Sequence, residues 1–105
     1  MPDPLELIQQ KIRTYSTKGI EFYEPHFSSQ MILRGGNKRQ VMDNLTNPDR
    51  LVYVEQSLGK YGDVVYDLFF LLEPNKVLIL PVILNPTKGL YVLTYIMRAR
   101  IPRRM

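Results

Sequence analysis

The feature that most constrains the fold is a change of pattern at Leu51, where helical spacing gives way to strand spacing. After this point the chain is rich in Val, Ile, Leu, Tyr and Phe, which favour strands. Short turn sequences with Gly, Pro and Asn divide this half, and they predict four strands, Leu51–Gln56, Val64–Leu72, Val77–Leu84 and Leu90–Ile101. Pro81 lies inside the third of them and, because it has no N–H to donate, it indicates a bulge or an edge position.

The half before Leu51 shows helical spacing instead. Apolar residues recur at intervals of three and four in the first predicted helix, for which Asp3 is a suitable N-cap. Gly35 ends a second predicted helix, and Asn47-Pro48 forbids continuation of a third. The predicted helices are Pro4–Tyr15, Pro25–Leu33 and Lys38–Leu45, and Ile20–Tyr23 is a candidate short strand.

Helices that precede a run of strands are typical of an α+β domain. The short links between the predicted strands favour antiparallel neighbours. We therefore predict two layers, with the N-terminal helices packed on an antiparallel sheet of about four to five strands. A chain of 105 residues has the length of one domain, so residues 1–105 are interpreted as a single unit.

Composition excludes several classes of function. The chain has no cysteine and one histidine, which removes disulfides, thiolate nucleophiles and a zinc site of the usual kind, so no metal or other cofactor is expected. The longest apolar region, Val64–Leu84, is interrupted by Asp67 and by the turn at Glu73-Pro74. A spanning helix needs about 20 apolar residues. These features predict no membrane association and a cytoplasmic protein.

Positive charge is clustered rather than spread. The net charge is +4, and two segments carry cations without acids between them, one near Arg34 and one from Arg98 to the C-terminal end. Clusters of this kind favour a polyanion or an acidic protein segment as partner. The candidate phosphate-binding residues are Arg34, Lys38, Arg39, Arg98 and Arg100. The alternative is that these side chains are simply solvated.

His26 is the one side chain whose ordinary pKa lies near neutrality, which makes it a candidate general acid or base. Metal-independent RNA cleavage uses the 2′-hydroxyl as nucleophile, so it needs a base and cations that stabilise the charged transition state. Tyrosine rings offer faces on which bases can stack. The candidate rings are Tyr53, Tyr66, Tyr91 and Tyr95. For each tyrosine the alternative is ordinary packing in a sheet.

The order of these residues resembles the small RelE-like domains of the RelE/ParE toxin superfamily, some of which carry an H…RG…NP signature. The resemblance runs from about Ile20 to Arg98, and residues 1–18 form an additional helix before a RelE-like core at 20–101. The matching positions are Ile20-Glu21-Phe22, His26, Met31, Arg34-Gly35, Val41, Leu45, Asn47-Pro48 and the last two predicted strands.

The resemblance implies a toxin-type domain that binds RNA or the ribosome, with His26 and Arg98 as catalytic candidates for metal-independent endoribonuclease activity. Arg34, Lys38, Arg39, Arg100 and Tyr95 become the candidate nucleic-acid contacts. It also implies an acidic antitoxin-like partner. Two alternatives stay open: a non-enzymatic interaction module that pairs with another protein or as a homodimer, and a small viral or mobile-element protein without chemistry.

Overall fold

The computed structural model describes residues 3–60 and 62–99, and within them the chain forms three helices and six strands. The helices are α1 (Pro4–Ser16), α2 (His26–Leu33) and α3 (Lys38–Thr46). The strands are β1 (Ile20–Phe22), β2 (Leu51–Leu58), β3 (Val64–Glu73), β4 (Lys76–Asn85), β5 (Gly89–Val92) and β6 (Ile96–Arg98). The α+β class predicted from the sequence is confirmed.

Local signals in the sequence explain the helix boundaries. The Asp3 carboxylate accepts a hydrogen bond from the N–H of Leu5 at 2.9 Å, and the Asn37 amide oxygen accepts one from Gln40 at 2.8 Å. Each cap satisfies a donor that has no partner within the helix. Gly35 has φ of 70°, a conformation that favours glycine, and it ends α2 with its N–H donated to Ile32.

The sheet is mixed, not purely antiparallel as predicted. Its strand order is β1-β5-β4-β3-β2, and β6 pairs with β4 beyond the end of β5. The run from β2 to β5 is antiparallel, but β1 lies parallel to β5, with Ile20 opposite Leu90. The links between successive strands could not reveal the β1–β5 pair, because its members are separated by most of the chain.

The last predicted strand is divided in two because of Pro81. Opposite Pro81 the N–H of Leu93 donates to the proline carbonyl at 2.9 Å, but Pro81 has no N–H to return. Val82 of β4 pairs with Val92 of β5, and Ile79 pairs with Ile96 of β6. Between these pairs, residues 93–95 of the last strand lie opposite only Leu80 and Pro81 of β4. The strand therefore bulges between β5 and β6, which raises the strand count to six. The predicted end of this strand, from Arg100 to Ile101, lies outside the described residues.

The two faces of the sheet carry separate apolar clusters. Alternate residues of β4, such as Leu78 and Leu80, join a large buried cluster that includes Ile12, Phe27 and Leu45 of the three helices. The intervening residues point to the other side of the sheet, here called the second face. There Phe69, Val77 and Ile79 form a smaller cluster. None of the described helices is long and apolar enough to cross a membrane.

Candidate functional site: an aromatic edge and a basic corner

His26 is placed by the connection between β1 and α2. The N–H of Tyr23 donates to the carbonyl of Val92 at 2.9 Å, which extends the β1–β5 pairing by one residue, and α2 then begins at His26. Glu24 accepts a hydrogen bond from the Ser28 N–H at 2.8 Å and another from the Ser28 hydroxyl. These bonds fix the first turn of α2, so the exposed imidazole stands at the border of the sheet.

Three aromatic rings meet at this border. Tyr23 is 51% exposed, its ring centroid is 6.0 Å from that of His26, and it meets the Tyr91 ring edge-on with centroids 6.3 Å apart. We call Tyr23, His26 and Tyr91 the aromatic edge. Its rings offer partly exposed faces with different orientations, which suits flat ligands.

The cations Arg34, Lys38 and Arg39 follow α2 and begin α3; we call them the basic corner. All three are exposed, and within the described residues none has a carboxylate oxygen within 4 Å. The Lys38 ammonium lies 4.5 Å from the centroid of the Phe22 ring, a cation–π contact with the residue that precedes Tyr23, and its charge acts on Glu24. The basic corner is therefore available to an anionic partner.

Glu24 contributes a negative charge close to the basic corner. The hydrogen bonds from the Ser28 side chain and backbone lower the pKa of Glu24, and the charge of Lys38 lowers it further. The carboxylate thus stays ionised at neutral pH. Because its acceptor capacity is directed to Ser28, it balances Lys38 without an ion pair to it.

A cavity of about 400 Å³ opens on the second face beside Tyr23. Val65, Ile83 and Tyr91 come from three neighbouring strands and lie in one row, because Ile83 pairs with Tyr91 and Val82 with Tyr66. The cavity is lined by Tyr23, Gly59, Lys60, Asp63, Val65, Ile83, Tyr91 and Leu93. It is mainly apolar, with charged groups contributed by the β2–β3 hairpin.

Tyr95 occupies a different environment from the one that base stacking requires. Its side chain is 0% exposed, packs edge-on against Phe27 and donates its hydroxyl to the Gln40 amide oxygen at 2.7 Å. Burial raises the pKa of this phenol. The prediction that Tyr95 stacks a base is not compatible with this burial, because the bulge after β5 turns the ring into the helix-side core.

Arg98 lies far from His26. Arg98 is exposed and pairs with Val77 at one end of β4. Tyr91 pairs with Ile83 near the other end of β4, and its ring contacts Tyr23, which in turn contacts His26. Six residues of a strand span about 20 Å. The sequence-based expectation of one hollow containing both residues is therefore not met within the described part of the chain, and Arg100 lies outside it.

Sequence reasoning missed Tyr23, Lys60 and Asp63. A signal for Tyr23 existed, because it is the aromatic residue that ends the predicted strand Ile20–Tyr23, three positions before His26. Lys60 and Asp63 gave no comparable signal, because only the pairing of β2 with β3 brings their turn toward Tyr23. Among the described residues there is no group of three or more His, Cys, Asp or Glu side chains that could hold a metal ion.

Comparison with known proteins adds no further assignment. The chain matches no protein-family model, no curated protein and no solved structure at a significant level.

Proposed function

We propose that this chain binds single-stranded RNA along the aromatic edge and the basic corner. The observation that carries the proposal is the exposed Tyr23 ring between His26 and Tyr91, together with three exposed cations at the α2–α3 corner that have no carboxylate partner within 4 Å among the described residues. Stacking on an aromatic face contributes about 1–3 kcal/mol per base and tolerates any sequence. Single strands expose the base faces that this mode of binding needs.

The basic corner supplies the complementary contacts to the backbone. Arginine offers a planar fork that matches phosphate, and lysine adds a mobile point charge. Arg34 is the C-cap of α2, and Lys38 and Arg39 begin α3, so all three cations lie around the α2–α3 connection. A strand held there by its phosphates would reach Tyr23 with a base, since Lys38 already lies against Phe22.

A two-layer, RelE-like arrangement and a toxin-type role belong to the same proposal. Their support is the order of the helices and strands and the shared cluster that joins Ile12, Phe27 and Leu45 to one set of strand residues. Fold does not imply activity, however, and function depends on the local site. Cleavage of RNA is not part of the proposed function. Tyr91 pairs with Ile83 and Arg98 with Val77, and these two residues of β4 are about 20 Å apart along the strand.

Binding of a fluorescein-labelled uridine decamer, followed by fluorescence anisotropy in EDTA, tests this proposal. Tyr23→Ala removes a stacking face, so we expect the affinity to fall by about fivefold or more. Lys38→Gln removes one phosphate contact, and the slope of log K against log salt concentration, about −2 for three contacts, should become shallower by about 0.7.

Lys76→Gln is the matched control for Lys38→Gln. It makes the same change of charge at an exposed position at the start of β4, far from Ile83 and the aromatic edge. It should leave affinity and salt slope near the wild-type values. Equal losses in both lysine variants, or no binding by the wild-type chain, would contradict the proposed site.

The alternative of a non-enzymatic interaction module is favoured by one observation. β2 is eight residues long and pairs only with β3 among the described strands, so its outer edge has backbone groups available to a second copy of this chain. Val52 and Leu58 of this strand are exposed. Absence of RNA binding together with a dimer in sedimentation measurements would favour this function.

A further inference from the structure

The second-face cavity lies beyond Tyr23 and is not used by the backbone contacts of the basic corner. Tyr23 lines it on one side, and Gly59, Lys60 and Asp63 of the β2–β3 hairpin line it on another. A base that contacts Tyr23 on this side would enter the cavity. The inference below therefore rests on the proposed RNA binding and names the base that the site selects.

The apolar part of the cavity suits the flat face of a nucleobase. Val65, Ile83 and Tyr91 form a continuous row across β3, β4 and β5, and Leu93 follows at the bulge. The Tyr91 ring meets Tyr23 at an interplanar angle of 70°, so the two rings form a corner. A volume of about 400 Å³ falls within the range of small-ligand sites, about 300–1,000 Å³.

The polar groups decide which base edge fits. An ionised Asp63 carboxylate only accepts hydrogen bonds, and the Lys60 ammonium only donates them. Guanine presents two adjacent donors, N1–H and the N2 amino group, beside the O6 acceptor. Adenine and cytosine present a donor beside a ring acceptor, and uracil has a single donor between two acceptors. Guanine is therefore the base whose edge complements an acceptor-only carboxylate with a neighbouring cation.

We propose that this cavity binds a guanine of single-stranded RNA, with the base against Tyr23 and Tyr91 and its N1–H and N2–H groups donated to Asp63. Lys60 also lines the cavity, and one N–H of its ammonium would donate to O6. The basic corner holds the backbone in any sequence, while the cavity gives preference for one base. Phosphate contacts position a strand, and base contacts specify its sequence.

The preference is tested by measuring the affinities of four labelled heptamers that differ only at the central base. The probes are UUUGUUU, UUUAUUU, UUUCUUU and UUUUUUU. Hydrogen bonds to charged groups discriminate strongly, so we expect the guanine heptamer to bind about tenfold more tightly than the others. Asp63→Asn replaces one acceptor oxygen by a donor and should reduce this preference to less than about twofold, while binding of the uridine heptamer is retained.

Glu73→Gln is the matched control, because it removes one negative charge at an exposed position at the end of β3. It should preserve the preference for guanine. Binding of all four heptamers with equal affinity, a preference for cytosine or adenine, or a guanine preference that survives Asp63→Asn would overturn the guanine site and leave the proposed RNA binding in place. Loss of binding to every heptamer would instead contradict the proposed function itself.

Discussion

At the scale of single residues, the contact between Gly36 and Tyr95 fixes the corner between α2 and α3. The N–H of Gly36 donates to the carbonyl of Met31 at 2.9 Å, and the Tyr95 phenol lies so close that a side chain at Gly36 would overlap it. Tyr95 then reaches Gln40 on α3. One buried phenol thus links the helix corner that carries the basic residues to the bulge in the last strand.

We predict that Gly36→Ala lowers the free energy of unfolding by about 1–3 kcal/mol, because the added methyl group overfills a packed site. Urea denaturation of the two proteins measures this difference. Tyr95→Leu removes the overlapping phenol, so the alanine substitution should cost clearly less in a Tyr95→Leu background. An equal cost in both backgrounds would show that contact with Tyr95 is not the cause.

At the scale of elements, α1 is part of the fold and not an appendage to it. Ile12 is fully buried in the main cluster, and Gln9 donates its side-chain amide to the Pro48 carbonyl at 3.0 Å. Arg13 pairs with Asp49 at 2.8 Å, but both side chains are exposed, and such surface pairs contribute little. Burial of the apolar face of α1 is therefore the main contribution of this helix to stability.

The pairing of β2 with β3 places two acids directly opposite each other. Glu55 is opposite Asp67 on the second face, and Asp67 is half-buried. Burial raises the pKa of Asp67, and the charge of Glu55 raises it further. Because the folded pKa exceeds that of the unfolded chain, the folded state holds this proton more tightly. The resulting stabilisation is complete below the unfolded pKa and is lost as the pH rises through the folded pKa.

Asp67→Asn should therefore stabilise the protein at pH 7 and have little effect at pH 3. The expected gain at pH 7 is about 0.2–1 kcal/mol, the usual size of a cross-strand charge effect. Urea denaturation at both pH values measures it. Glu55→Gln should also stabilise the chain and should reduce the gain from Asp67→Asn. A gain that is equal at pH 3 and pH 7 would mean that charge is not responsible.

At the scale of the whole molecule, the register of β4 separates the two residues first considered for catalysis. The Cα framework measures 35 × 30 × 26 Å, so a separation of about 20 Å along one strand covers more than half of its longest dimension. A base and a cation act on the same phosphodiester only when both lie within hydrogen-bond reach of it. Arg98 and the aromatic edge are better understood as separate parts of the surface.

We accordingly expect the chain to leave bound RNA intact in EDTA, as judged by denaturing gel electrophoresis of a labelled single strand after prolonged incubation. His26→Ala and Arg98→Ala should give the same pattern as the wild-type protein. Cleavage by the wild-type chain that disappears in both variants would show that His26 and Arg98 act together, and it would require the chain to bring them together on binding.

The three helices and the strands up to β4 followed from local sequence signals, whereas the division of the last strand into β5 and β6 did not. Asp3 and Asn37 cap helices through hydrogen bonds to residues two or three positions away, and Gly35 ends α2 through its own backbone conformation. These interactions depend on neighbours along the chain, so the sequence alone was sufficient to predict them.

The candidate site was decided by pairing between distant segments. The parallel β1–β5 pair brought Tyr23 to Tyr91, the hairpin register brought Asp63 to the same cavity, and the bulge at Pro81 buried Tyr95. The same register separated Arg98 from His26. Contacts of this kind depend on which strand edge each segment meets, and the residue pattern of a single segment does not specify its partner strand.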